Sequence, residues 1–173
     1  MPFYKKPPIM TKILLLLKEM SRFKFVLSIL TISLIVGFLR AVVQMVGGDI
    51  LAPWKETPLE VEKNLFQSIV IAVIVAPLLE TGIFQVLIYR LLRRIRFFKE
   101  KTMFIILVSA LFFGLVHAYS LSNNLAAFSI GLVYMTAYVA RIKKDRFTFF
   151  LIVFAHALHN GIILGLFNCA ELM

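Results

Sequence analysis

Long apolar runs separated by short charged segments set the pattern of this chain. Residues 9–20 alternate leucines with Lys12, Lys18 and Glu19. Apolar runs then cover about 25–46, 65–89, 102–119, 125–140 and 148–167. A spanning helix needs ~20 apolar residues, and only helices or closed barrels satisfy their backbone within lipid. The pattern therefore predicts an all-α fold, a polytopic transmembrane helix bundle of about five spans preceded by a short interfacial helix. Gly47-Gly48 ends the first span. Thr57-Pro58-Leu59-Glu60 reads as a capping box with proline at the first helical position, which starts the second helix in the interface. A short polar turn is expected at 120–124. No internal repeat or linker interrupts the chain, so residues 1–24 read as an interfacial segment and 25–173 as a single bundle.

Composition agrees with this pattern: 61% of the residues are hydrophobic and 16% charged, outside the range of soluble domains. A net charge of +10 raises the question of a nucleic-acid partner. Nearly all the basic residues, however, lie in three segments between apolar runs, 5–24, 90–101 and 141–146. The loop after the first span instead holds Asp49, Glu56, Glu60 and Glu62 against Lys55 and Lys63. This alternation is the positive-inside pattern. It places the N-terminus in the cytoplasm of a multi-pass cell-membrane protein, assigns the basic loops to anionic headgroups and argues against nucleic acid. The lone Cys169 excludes an internal disulfide. No cleavable signal peptide is expected, because the first apolar run is too short and lacks a small-residue cleavage site ahead of the next.

Against this background Glu80 stands out. No other charge lies within nine residues on either side, and a carboxylate near mid-bilayer costs at least ~2.5 kcal/mol on insertion scales. At ~1.5 Å of rise per residue, Glu80 lies ~15 Å from the cytoplasmic end of its span, His156 ~12 Å, Asn160 ~18 Å and His117 ~22 Å. All four fall within one slab around the midplane, and His156 and Asn160 share a helix face. His159 points about 100° away from Asn160 and reads as packing or support. Pro77, one turn before Glu80, removes a backbone N–H and is expected to free the carbonyl of Val73 beside a polar cavity.

In this order, these residues resemble the CPBP family, which comprises type II CAAX prenyl proteases and Abi-type proteases associated with bacteriocin maturation and immunity. Glu80-Thr81-Gly82-Ile83-Phe84-Gln85 resembles the family's Glu-Glu-x-x-x-Arg motif, keeping the first Glu and the Phe before the last position, with Thr81 for the second Glu and Gln85 for the Arg. Phe113 to His117 matches Phe-x-x-x-His, and His156 to Asn160 matches His-x-x-x-Asn. A third region resembles the family over 128–134. The resemblance covers about 65–166. It implies an intramembrane endopeptidase acting on a small membrane-associated peptide or lipopeptide. Glu80 and His117 would activate water, and His156 and Asn160 would stabilise the oxyanion. No resident cofactor is expected, the alternative being zinc held by Glu80, His117 and His156. The neutral pair Thr81 and Gln85 motivates a second reading, a catalytically impaired member acting by contact as an immunity factor or as a regulator of a membrane-protein partner. A proton-coupled transporter is a third reading, disfavoured by the absence of repeated broken helices.

Overall fold

The computed structural model describes residues 8–47, 64–117 and 119–171, and among these the chain forms six helices and no strand. The first two are α1 (Ile9–Glu19) and α2 (Arg22–Gly47). The third, α3, is continuous over residues 65–94. The last three are α4 (Thr102–Val116), α5 (Leu121–Arg141) and α6 (Thr148–Glu171). The capping box at 57–60 and the acidic loop around it lie outside the described residues. The visible start of α3 is capped by Asn64, whose side-chain oxygen accepts from Phe66 N–H at 2.9 Å.

Among the described residues, three helices are long and apolar enough to cross a membrane: Arg22–Gly47, Phe66–Arg94 and Thr148–Leu166. The helix α4 is as apolar but spans only 15 residues. Their outward faces carry large apolar side chains such as Ile35, Phe38, Leu79, Leu111, Phe150 and Phe154, all exposed. An exterior of this kind fits lipid rather than water as its surroundings. With three helices of spanning length, this is a multi-pass membrane protein.

The central element is α5, which packs against α4, α2 and α1. Its Tyr134, Met135, Ala137 and Tyr138 form the core with Phe25, Ile29, Ile105, Ile106, Ile152 and Ala155. Two glycines bring α4 and α5 together. A Cβ added at Gly131 would stand 3.0 Å from Ala110 Cα and 3.1 Å from Phe113 Cβ. One at Gly114 would stand 3.0 Å from Phe128 Cβ and 3.1 Å from the Asn124 carbonyl. Small residues at such crossings let helix backbones approach where lipid offers no hydrophobic drive.

Two expected boundaries move. The third apolar run does not remain helical to 119, because α4 closes at Val116 and His117 leaves the helix at φ −95°, ψ 35°. Its N–H bonds back three residues to Gly114. The expected polar turn at 120–124 is instead the beginning of α5. Ser120 is its N-cap, accepting from Asn123 N–H at 3.0 Å, and Asn123 Nδ2 donates to the His117 carbonyl at 2.7 Å. The polar side chains read as a loop signal therefore serve the helix start.

On the side carrying the basic segments, Asp145 gathers three partners. Arg22 approaches it through two nitrogens at 2.8 and 3.1 Å, Arg141 lies at 3.3 Å, and Phe147 N–H donates at 3.0 Å. Arg141 also donates to the Met20 carbonyl at 2.8 Å, and Lys144 meets Glu19 at 2.7 Å. These bonds tie α1 and the start of α2 to the α5–α6 turn. The Arg22 and Phe147 donors hold the Asp145 carboxyl well below the usual carboxylate range.

Candidate active site

The helix that carries Glu80 is not a plain α-helix. Residues Val70–Val75 and Thr81–Leu87 take the wider π pairing, in which each N–H reaches back five residues, with α-helix before, between and after them. Such segments recur at functional sites. In the first, Ala76 N–H bonds to the Ile71 carbonyl. The next donor in that register, for the Ala72 carbonyl, would be residue 77, and Pro77 has none. The Ala72 carbonyl therefore has no donor in that register. Asn160 of α6 fills the gap, its Nδ2 donating to the Ala72 carbonyl at 2.8 Å.

Three of the four residues singled out in the sequence meet. One Glu80 carboxylate oxygen lies 3.6 Å from His117 Nε2, and the other lies 3.6 Å from His156 Nε2. Both separations exceed hydrogen-bond length, so the carboxylate stands between two imidazoles without closing on either. His117 is oriented from behind, its Nδ1 lying 2.7 Å from the Phe113 carbonyl. A carbonyl only accepts, so Nδ1 carries the proton and Nε2 faces Glu80. The His156 side chain is buried at 5% exposure, whereas those of Glu80 and His117 are 22% and 25% exposed, so the site is open along one side.

Aromatic rings wall the site. Phe113 packs edge-on against Phe84 with centroids 5.3 Å apart and lies 4.6 Å from the His117 ring. Tyr134 lies 4.8 Å from the His156 ring. Asn160 does not join this group directly. Among the described residues no hydrogen bond links it to Glu80, His117 or His156, and its amide is engaged one helical turn beyond His156. His159 faces elsewhere. It is buried, and its ring lies against Gly37 of α2.

Thr81 and Gln85 are both fully buried, yet they do not bond to one another: Thr81 Oγ1, Gln85 Oε1 and Gln85 Nε2 have no hydrogen-bond partner among the described residues. Sequence reasoning missed Ser109, whose hydroxyl donates to the Phe84 carbonyl at 2.6 Å. Its signal was available, since it is the one polar side chain inside α4 beyond the first residue.

Residues 62–162, more than half of the chain, match the family model described as type II CAAX prenyl endopeptidase Rce1-like. The chain belongs to this family. Comparison with curated proteins and with solved structures finds no match. The Rce1-like assignment spans α3 to most of α6, and every residue of the Glu80 cluster lies within it. Among the described residues no group of three or more His, Cys, Asp or Glu side chains is arranged to hold a metal ion.

Proposed function

We propose that this Rce1-like protein is an intramembrane endopeptidase that hydrolyses a small membrane-associated peptide or lipopeptide. The observation that supports it best is the Glu80 carboxylate held between His117 and His156 at 3.6 Å from each. Glu80 takes a proton from a water positioned by His117 Nε2, and the oxygen attacks the scissile carbonyl. His156 Nε2 donates to the oxyanion that forms. Asn160 has two N–H groups, one spent on Ala72, and the second is available to the same oxyanion. As the tetrahedral species collapses, Glu80 returns the proton to the departing amine. The partly exposed flank of Glu80 and His117 admits substrate, while buried His156 forms the floor.

The test is cleavage of a prenylated or acylated reporter peptide by protein reconstituted in liposomes. Glu80→Gln should lower kcat by about 10²- to 10⁴-fold, the usual contribution of a general base, without loss of folded protein. Equal cleavage by Glu80→Gln would overturn the reading. Activity lost to a chelator and restored by zinc would assign the chemistry to a metal centre.

A second reading rests on the uncharged pair Thr81 and Gln85, buried where the family pattern places Glu and Arg. Here the protein acts by contact with a membrane partner and does not cleave. A cellular phenotype that survives both Glu80→Gln and His156→Ala would favour it.

A further inference from the structure

We propose that Ser109 is a positioning residue, and that its hydrogen bond to the Phe84 carbonyl sets the Glu80 carboxylate against His117. The proposal rests on the reading of Glu80 as general base. Its physical part can be tested without catalysis.

The argument begins with the register of α3. Ile88 N–H reaches back five residues to the Ile83 carbonyl, and ordinary α-helix resumes over Ile88–Arg94. Four-residue pairing from Tyr89 onward selects Gln85 and skips Phe84. One carbonyl is thus left without an intrahelical donor wherever a π segment returns to α. In a membrane bundle such a group must find a partner, because no bulk water is present to serve it.

Ser109 supplies that partner from the neighbouring helix. A serine within a helix commonly bonds to the carbonyl four residues back in its own chain. Here the hydroxyl crosses to α3 instead, at 2.6 Å, with Ser109 fully buried.

The bond closes a ring of contacts. Phe84 lies one turn after Glu80, and its side chain packs on Phe113. The Phe113 carbonyl holds His117 Nδ1, and His117 Nε2 faces Glu80. The helices α3 and α4 therefore touch at two levels, Ser109 with Phe84 and His117 with Glu80. Fixing the first fixes the rotation of α3 that presents the second. Misplacement of a catalytic group by about 1 Å can cost ~10²-fold in rate, so a single hydroxyl at this level has leverage over the chemistry.

The experiment uses ¹⁵N-histidine NMR of the full chain in detergent micelles together with reporter cleavage. The chain has three histidines, so each signal can be assigned by single His→Gln variants. Ser109→Ala should move the His117 signals toward those seen in Glu80→Gln and leave His159 unchanged. The same variant should lower kcat at least about tenfold with KM held within about twofold. Ser109→Cys, close in size and with a weaker donor, should fall between wild type and Ser109→Ala in both readouts. It serves as the test if the alanine variant does not fold. Unchanged His117 signals in a folded Ser109 variant overturn the proposal. Cleavage that persists in Glu80→Gln instead overturns the general-base reading and leaves the NMR result to decide the placement of His117.

Discussion

Asn160 Nδ2 donates to the Ala72 carbonyl at 2.8 Å, joining α6 to an acceptor that has no donor in the π register of its own helix. Loss of this donor strands a polar group inside the bundle. Asn160→Ala is expected to cost about 1–3 kcal/mol. Asn160→Asp should cost more, because it turns an acceptor toward an acceptor. Thermal unfolding in detergent measures both, and an unchanged midpoint for Asn160→Asp would show that the bond contributes nothing to stability.

Thr81 and Gln85 make the opposite prediction. Their buried polar atoms have no hydrogen-bond partners among the described residues, so removing them relieves a desolvation cost. Thr81→Val should be neutral or stabilising, by up to about 1 kcal/mol. Gln85→Arg alone should destabilise by about 3–5 kcal/mol through an unpaired buried charge, and Thr81→Glu in the same protein should recover most of that loss. A double-mutant cycle on unfolding midpoints reads the coupling. Additive effects would mean that the two positions do not meet.

Gly131 sets the distance between α4 and α5. An added methyl meets Ala110 Cα and Phe113 Cβ, backbone-level contacts that cannot turn aside. Gly131→Ala should destabilise by about 1–3 kcal/mol and also reduce cleavage, since Phe113 orients His117. Gly165 is the control: a Cβ there meets nothing within 4 Å, so Gly165→Ala should be neutral or stabilising.

Asp145 gives a pH dependence of known sign. Its folded-state affinity for a proton is lowered, first by the Arg22 side chain and then by the Phe147 N–H. The stability it contributes is therefore complete above the ordinary carboxylate range, about pH 4. It is lost as pH falls from there toward the depressed folded value. Unfolding midpoints of wild type should drop through that acidic window. Asp145→Asn should begin a few degrees lower at neutral pH and respond less to acid. Because the Arg22 side chain is 56% exposed, added salt should narrow the gap between the two proteins.

Apolar run lengths were enough to place α1, α2 and α6 nearly to their ends, because in lipid the backbone leaves few alternatives. The helix α3, by contrast, begins at Leu65 after an extended Asn64 and does not run on from the expected capping box. Depth counting placed Glu80, His117 and His156 at one level, and the structure brings them together. The wider pairing on either side of Glu80 was not legible. It depends on which carbonyl finds a donor on another helix, and no local composition encodes that. Pro77 signalled an unpaired carbonyl on this turn, but the wider register also leaves Ala72 without a helical donor and gives Asn160 a partner that the sequence did not show. The cluster at Asp145 was hidden for a similar reason. Residues 141–146 read as a basic segment, and only the fold shows Arg22, far away in sequence, arriving at its single acid.

Each π segment of α3 has one more consequence. An extra residue within a helix turns everything beyond it by about 100° relative to what precedes it. The part of α3 before residue 70, the turn bearing Glu80 and the part after residue 87 are therefore three separately phased faces on one rod. Shortening the chain by one residue within 70–75 or 81–87 would spare Glu80 and its partners yet aim Glu80 away from one of its neighbours. Two added residues thus let a single helix meet lipid, α4 and α6 at different angles along its length.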